Sequence, residues 1–176
     1  MTHNITTPLT AETVKHLHAG DEVRITGVIY TARDAAHKKL CELLDAGQSL
    51  PLDLRDQIIY YTGPTPAPPG RPIGSCGPTT SYRMDRYTPA LLAQGLRGII
   101  GKGRRCQDVI EALKTHTAVY FAAEGGCGAL LANYVKTCEV VAFPELGTEA
   151  IHRLEVENFP VSVFCDFRGD QHSPYL

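Results

Sequence analysis

The chain has no tryptophan, and none of its 176 residues fall into a run of 18 consecutive apolar side chains, which excludes a membrane-spanning helix. Blocks of five or six like charges are also missing. With 17 basic residues against 19 acidic ones the formal charge is −2, so an electrostatic platform for nucleic acid is disfavoured. No C-x-x-C pair occurs, and none of the six cysteines (Cys41, Cys76, Cys106, Cys127, Cys138, Cys165) stands at zinc-finger spacing from a histidine. They are expected to be reduced, mostly buried thiols. The opening residues have neither a basic segment followed by an apolar one nor an Arg-rich amphipathic face, and a cytoplasmic location is expected.

What is present is the composition of a folded domain. A content of 43% hydrophobic and 20% charged residues excludes disorder. One domain spanning 1–176 is expected, and at this size it buries about 70% of its unfolded surface, enough for a core without disulfides. Segments rich in β-branched residues alternate with helix-like ones, which predicts an α/β fold. Thr10 caps a short helix through Leu17, and Asp21–Tyr30 reads as a strand with Val23, Ile25 and Gly27 on one face. Helical spacing of Ala36, Leu40, Leu43 and Leu44 follows, with Gly47 as its stop, so Arg33 and Asp34 lie at a strand-to-helix junction.

Further strands are expected at 56–62, 97–100, 118–122, 139–143, 151–156 and 161–166, with helices at 107–114 and 128–134. Residues 63–72 hold too many prolines for helix or central strand and read as a surface loop. Thr88-Pro89 reads as an N-cap with proline at the first helical position, and the stretch from Gly169 as a loose tail.

Three places bear chemistry. Gly77-Pro-Thr-Thr-Ser-Tyr-Arg-Met-Asp85 delivers the hydroxyls of Thr79 and Thr80 to a helix start, where free N–H groups favour an anion, with Arg83 on the first turn as a carboxylate donor. Simple capping by the two threonines is the commoner role of such residues. Gly101-Lys-Gly103 follows a strand; its glycines allow close backbone approach, and Lys102 offers a point charge. It is not a Walker A loop, which needs a Ser or Thr where Gly103 stands, and a Gly-Lys-Gly turn is often plain loop. Arg33 is a third cation at a strand end. Ligands of open α/β sheets gather outside the carboxyl ends of strands, so the three places converge if their strands are neighbours. Three cations and two hydroxyls suit a dicarboxylate.

Other residues have plainer readings. His37, one turn after Arg33, reads as an exposed or capping helix residue without a chemical role. Glu124-Gly-Gly-Cys-Gly128 reads as tight helix–strand packing, and no histidine is placed by sequence to activate Cys127 as a nucleophile.

Taken in order, Ala32-Arg-Asp-Ala-Ala-His37, Gly77–Asp85, Gly101-Lys-Gly103, Ala122-Ala-Glu-Gly-Gly126, Glu145-Leu-Gly-Thr-Glu-Ala-Ile151 and Glu155-Val-Glu-Asn-Phe-Pro160 resemble the β subunit or C-terminal domain of class I fumarate hydratases. The β subunit of L(+)-tartrate dehydratase shares most of this pattern. The resemblance covers nearly the whole chain, and Gly-Pro-Thr-Thr-x-x-Arg-Met is its most specific part. It implies a three-layer swivelling β/β/α domain and a hydro-lyase whose α subunit, or N-terminal domain, holds a four-iron four-sulfur (4Fe–4S) cluster, with the α subunit as this chain's partner in an α2β2-type assembly. It further implies that Arg33, Thr79, Thr80, Arg83 and Lys102 bind substrate and that Thr79 is the candidate base. The cysteines here do not match the cluster ligands. Arg104 and Arg105 depart from the smaller or less charged residues expected after Gly-Lys-Gly, and Cys127 stands where alanine is commoner; such changes bear on which diacid fits. The Glu145–Phe159 stretch leans towards fumarase. Outside the enzymes, a stand-alone small-anion binding module is the competing reading.

Overall fold

The computed structural model describes residues 1–123 and 127–174. Among the described residues, seven strands and five α-helices follow one another as β1 (Thr2–Thr6), α1 (Ala11–Lys15), β2 (Glu22–Thr31), α2 (Asp34–Asp45), β3 (Ile58–Tyr60), α3 (Thr88–Ala93), β4 (Gly98–Gly101), α4 (Gln107–His116), β5 (Val119–Ala122), α5 (Gly128–Leu131), β6 (Val135–Ala142) and β7 (Ile151–Cys165). The strands lie in the order β1-β2-β3-β4-β5-β7-β6, and a further pairing of β2 with β7 closes five of them into a ring. The α/β expectation holds as a mixed fold built on this closed sheet.

β2 is long enough to serve both sides of the closure. Its residues 22–26 pair in parallel with β1, its end at Tyr30 and Thr31 pairs in parallel with β3, and its other edge carries β7 antiparallel. One extra residue on β7 between Phe159 and Val156 makes a bulge opposite Ile25 and Gly27, which adds the local twist that a small closed sheet requires.

The central strands are short and buried on both faces, as parallel strands covered by helices are. Their side chains divide by the two-residue period of a strand. Ile58, Tyr60, Ile100, Val119 and Phe121 point into a cluster with Ile25, Ile29, Phe159 and Val163. Ile59, Tyr61, Ile99, Tyr120 and Ala122 join Ala36 and Leu40 of α2, Leu91 and Leu92 of α3, and Val109 and Leu113 of α4. Each large side chain fully buried in either cluster, such as Tyr60, Tyr61 or Phe121, contributes about 1.5–3 kcal/mol by its removal from water.

Several expectations need correction. β1 was missed, because five mostly polar residues carry no strand signal until β2 lies beside them. The two strands expected at 151–156 and 161–166 are one, β7; Asn158 at φ +55 and Pro160 look like breakers in sequence but sit within the bulged strand. β6 starts at Val135 instead of Glu139. Thr88 does not cap α3: it is buried, donates to the Met84 carbonyl at 3.0 Å and pairs with the Tyr61 hydroxyl at 2.6 Å, and Tyr87 takes the cap position. The described part of the tail is not loose, since His172 N–H donates to the Phe164 carbonyl at 2.8 Å and Gln171 pairs with Cys165. Thr10 caps α1 as expected, its hydroxyl accepting from Thr13 N–H at 3.2 Å. Among the described residues, no helix is long and apolar enough to cross a membrane.

Candidate functional site

β2, β3 and β4 are parallel neighbours, so the loops after them leave from one edge of the ring. Arg33 follows β2, the turn containing Thr79 to Arg83 comes after β3, and Lys102 follows β4. The condition set by the sequence reading, that the three strands be neighbours, is therefore met.

Arg33 occupies the cap position of α2 in extended conformation without capping it. Its side chain lies against Gly63, where an added Cβ would sit 2.7 Å from Arg33 Cδ; glycine is required there for space. Glu149 balances the charge from 3.9 Å, and Arg33 Nε is buried with no hydrogen-bond partner. That orphaned donor is the kind of group a ligand satisfies.

The Pro-rich loop after β3 is brought back onto the strand it left. Tyr60 hydroxyl donates to the Cys76 carbonyl, Thr62 hydroxyl to the Gly77 carbonyl at 2.7 Å, and Thr79 N–H to the Tyr61 carbonyl at 2.8 Å. Thr79 is thereby fixed against the end of β3. Ser81–Met84 then form a single 3-10 turn of four residues, too short to carry an appreciable dipole, and Thr80 makes no capping hydrogen bond. Both readings of a capped or dipolar helix start are thus corrected. Positive charge comes from side chains instead: Arg83 Nη2 donates to Thr79 Oγ1 at 3.4 Å, and Arg83 Nε pairs with Asp34 Oδ2 at 3.1 Å, which ties this turn to the start of α2. Thr80 is exposed and, with Ser81, Tyr82 and Lys102–Arg105, lines a cavity of about 370 Å3.

Lys102 is held by its backbone. Its N–H donates to Ser81 Oγ at 3.0 Å, and the same hydroxyl donates to the Thr79 carbonyl at 2.9 Å. The glycines beside it act differently from expectation. At Gly101 the bare Cα makes room for Ser81, whose Oγ would lie 2.5 Å from an added Cβ, and not for a ligand; Gly103 meets a backbone demand, at φ +76. Arg33, Thr79, Arg83 and Lys102 thus stand on three loops that Asp34 and Ser81 link.

His37 is fully buried, contrary to expectation. Its Nδ1 meets the Arg33 carbonyl at 2.8 Å, its ring packs edge-on against Tyr61, and burial lowers its pKa to about 4, so it is a neutral core residue under the candidate site. Gly128 fits the packing reading, for an added Cβ would lie 2.7 Å from Gly77 N. Glu124, Gly125 and Gly126 of that turn lie outside the described residues. The six cysteines form no disulfide, and among the described residues no three His, Cys, Asp or Glu side chains are grouped to hold a metal ion. The role of Asp34, Ser81, Asp85 and Arg105 in holding the loops together is not legible in the sequence; the contacts Asp34–Arg83, Ser81–Lys102 and Asp85–Arg105 each span 20 residues or more, and no local pattern reports them.

Comparison with known proteins bears on what these loops do. The profile of a family described as Fumarase C-terminus matches residues 2–173. Over 148 residues, 83% of this chain, it is 47% identical to "Fumarate hydratase class I, anaerobic" of Escherichia coli K12, of which the match spans 27%. It is 41% identical over 160 residues to "Fumarate hydratase 2" of Leishmania major, spanning 28% of that protein. Over 168 residues it is 42% identical to "Putative L(+)-tartrate dehydratase subunit beta" of Methanocaldococcus jannaschii, covering 92% of this chain and 86% of that subunit. The chain therefore spans about a quarter of the fumarate hydratases it matches and most of the tartrate dehydratase subunit.

Proposed function

Because the chain belongs to the fumarase C-terminus family, we propose that it is the β subunit of a hydro-lyase that interconverts fumarate and (S)-malate, inactive without an α subunit. The observation that carries this reading is the near full-length match to a β subunit, where the longer fumarate hydratases carry the equivalent segment within one chain. We take the closed sheet with its outer helices to be the family's three-layer swivelling β/β/α domain, the assembly to be of α2β2 type and the location to be cytoplasmic.

Arg33, Arg83 and Lys102 would neutralise the two carboxylates of the substrate. As a proton leaves the carbon next to one carboxylate, negative charge builds on that carboxylate, and cations already in place stabilise it without reorganisation. Thr80, which lines the cavity, would add a hydroxyl contact. Thr79 is the candidate base. A hydroxyl is a poor base unless its charged form is favoured, and the Arg83 guanidinium 3.4 Å from Oγ1 acts in that direction. Among the described residues, no group of cysteines and histidines fits a 4Fe–4S cluster; the cluster is assigned to the α subunit, and no step is derived through it.

Tartrate dehydratase is the second reading, favoured by the name of the relative that matches along most of its own length. The test is anaerobic co-expression with an iron–sulfur α-type subunit, followed by assay with malate and with tartrate, the isolated chain serving as control. Turnover of malate by the pair alone supports the fumarase reading, and turnover of tartrate transfers the same site to the other substrate. Failure of the two chains to associate favours a stand-alone anion-binding module.

A further inference from the structure

Both peptide groups that flank the Lys102 Cα are tied down, and both ties lead to one turn. The N–H goes to Ser81 Oγ at 3.0 Å. The carbonyl accepts from Arg105 Nη2 at 3.2 Å, while Arg105 Nη1 donates to the Ser81 carbonyl at 2.6 Å and to Asp85 Oδ1 at 2.7 Å. Asp85 uses its second oxygen to accept the Cys106 N–H at 2.9 Å. Beneath the guanidinium, 5.1 Å away, lies the ring of Tyr120, whose hydroxyl donates to the Gly103 carbonyl at 2.8 Å. One planar cation therefore joins the loop after β4 to the turn after β3.

Burial of this cation argues for a task beyond holding the fold. The Arg105 side chain is only 2% exposed, and a buried ion pair is a costly way to obtain stability that apolar side chains supply at least as well. Apolar side chains cannot, however, donate hydrogen bonds to three acceptors on two loops and so set the loops' relative height and direction. A lysine has one nitrogen and cannot spread over all three acceptors in a plane.

We propose that Arg105 is the positioning residue of the site: it sets Lys102 against the Thr79–Arg83 turn so that the cations and hydroxyls of the two loops face one substrate. The proposal rests on the hydro-lyase reading for what Lys102 binds, but its geometric content is independent of the reaction. With its side chain out of solvent, Arg105 acts through Lys102.

Two measurements decide it. Hydrogen exchange is followed by mass spectrometry in the wild-type chain, in Arg105→Lys and in Ser81→Ala, the last of which leaves the buried pair intact. Segment 101–106 should lose protection by about tenfold in both variants while β5 and β7 keep theirs, as a local opening requires. Unchanged exchange at 101–106 in Arg105→Lys overturns the proposal, whatever Ser81→Ala shows. In the assembled enzyme, Arg105→Lys should raise KM by about ten- to a hundredfold with a smaller effect on kcat, the scale expected when a binding group is misplaced. The double variant Lys102→Ala/Arg105→Lys should be no worse than Lys102→Ala alone, because residues acting as one unit are not additive. Losses that multiply overturn the proposal. If the wild-type pair turns over neither malate nor tartrate, the hydro-lyase reading fails, and the exchange measurement still decides the role of Arg105.

Discussion

Replacing Asp85 by asparagine removes one charge from the buried pair while keeping the shape of the side chain. Both oxygens of Asp85 accept from fixed donors, Arg105 Nη1 at 2.7 Å and Cys106 N at 2.9 Å. An amide has one acceptor oxygen, so in either orientation its NH2 faces a donor. The arginine, 2% exposed, is left buried without a counter-charge. Breaking one side of a buried pair costs roughly 3–5 kcal/mol, and the 11% exposure of the Asp85 side chain argues for the lower half of that range. In a chain of this size each kcal/mol lowers Tm by about 2–4 °C, so a fall of roughly 6–16 °C is expected by calorimetry or circular dichroism at neutral pH. The double change Asp85→Leu/Arg105→Met should recover much of that loss, since apolar replacement of a whole buried pair is often neutral or stabilising. A fall of less than about 2 °C for Asp85→Asn would refute the reasoning, for it would mean that Arg105 reaches water or another acceptor.

Arg83→Ala in the assembled enzyme should raise KM and lower kcat/KM by about ten- to a hundredfold, with Arg83→Lys intermediate because it keeps charge and loses the fork; unchanged steady-state kinetics would remove Arg83 from the carboxylate contacts. Gly63→Ala should act on Arg33 from a distance, because the new Cβ would lie 2.7 Å from Arg33 Cδ and 3.0 Å from the Thr148 carbonyl; KM should rise with Tm lower by only a few degrees, and a normal KM would place Arg33 outside the binding contacts. His37 sits at about pKa 4, below the ordinary 6.5. Above pH 6.5 both states are neutral and the domain keeps its full stability; as pH falls towards 4 only the unfolded chain takes up the proton, so about 3 kcal/mol is lost across that window, and His37→Leu should flatten the acid limb of a denaturant-midpoint profile. An unaltered acid limb in that variant would show that other groups set it.

Sequence reading located the three cationic loops because each lies at a change of local pattern, strand to helix or strand to glycine turn, and such junctions are visible within a few residues. It did not locate what joins them. Ser81 looks like one more hydroxyl in a polar run, yet it holds Thr79 and Lys102 together. Arg105 looked like a departure bearing on substrate choice, and its length is instead spent inside the protein. The ring closure was equally hidden: pairing of β2 with β7 is a contact across more than 120 residues, and Asn158 with Pro160 argued locally against the strand that makes it. His37 was misread because its helix face was judged from neighbours in sequence, whereas Tyr61 and Tyr87, which enclose it, come from other elements.

Three arginines around the site each have an acidic partner within the chain, and burial separates their uses. Arg83 with Asp34 is 41% and 34% exposed, and Arg33 with Glu149 is 28% and 32% exposed. Pairs this open contribute about 0–1 kcal/mol, so a substrate carboxylate that excludes water can displace the internal partner at small cost. Arg105 with Asp85 is closed, and no ligand can compete for it on those terms. On the proposed hydro-lyase reading, the open pairs would keep the cations extended before substrate arrives, and the closed pair would keep the loops beneath them from shifting when it does. On that reading Asp34 and Glu149 would yield to a substrate carboxylate, and Asp85 would not.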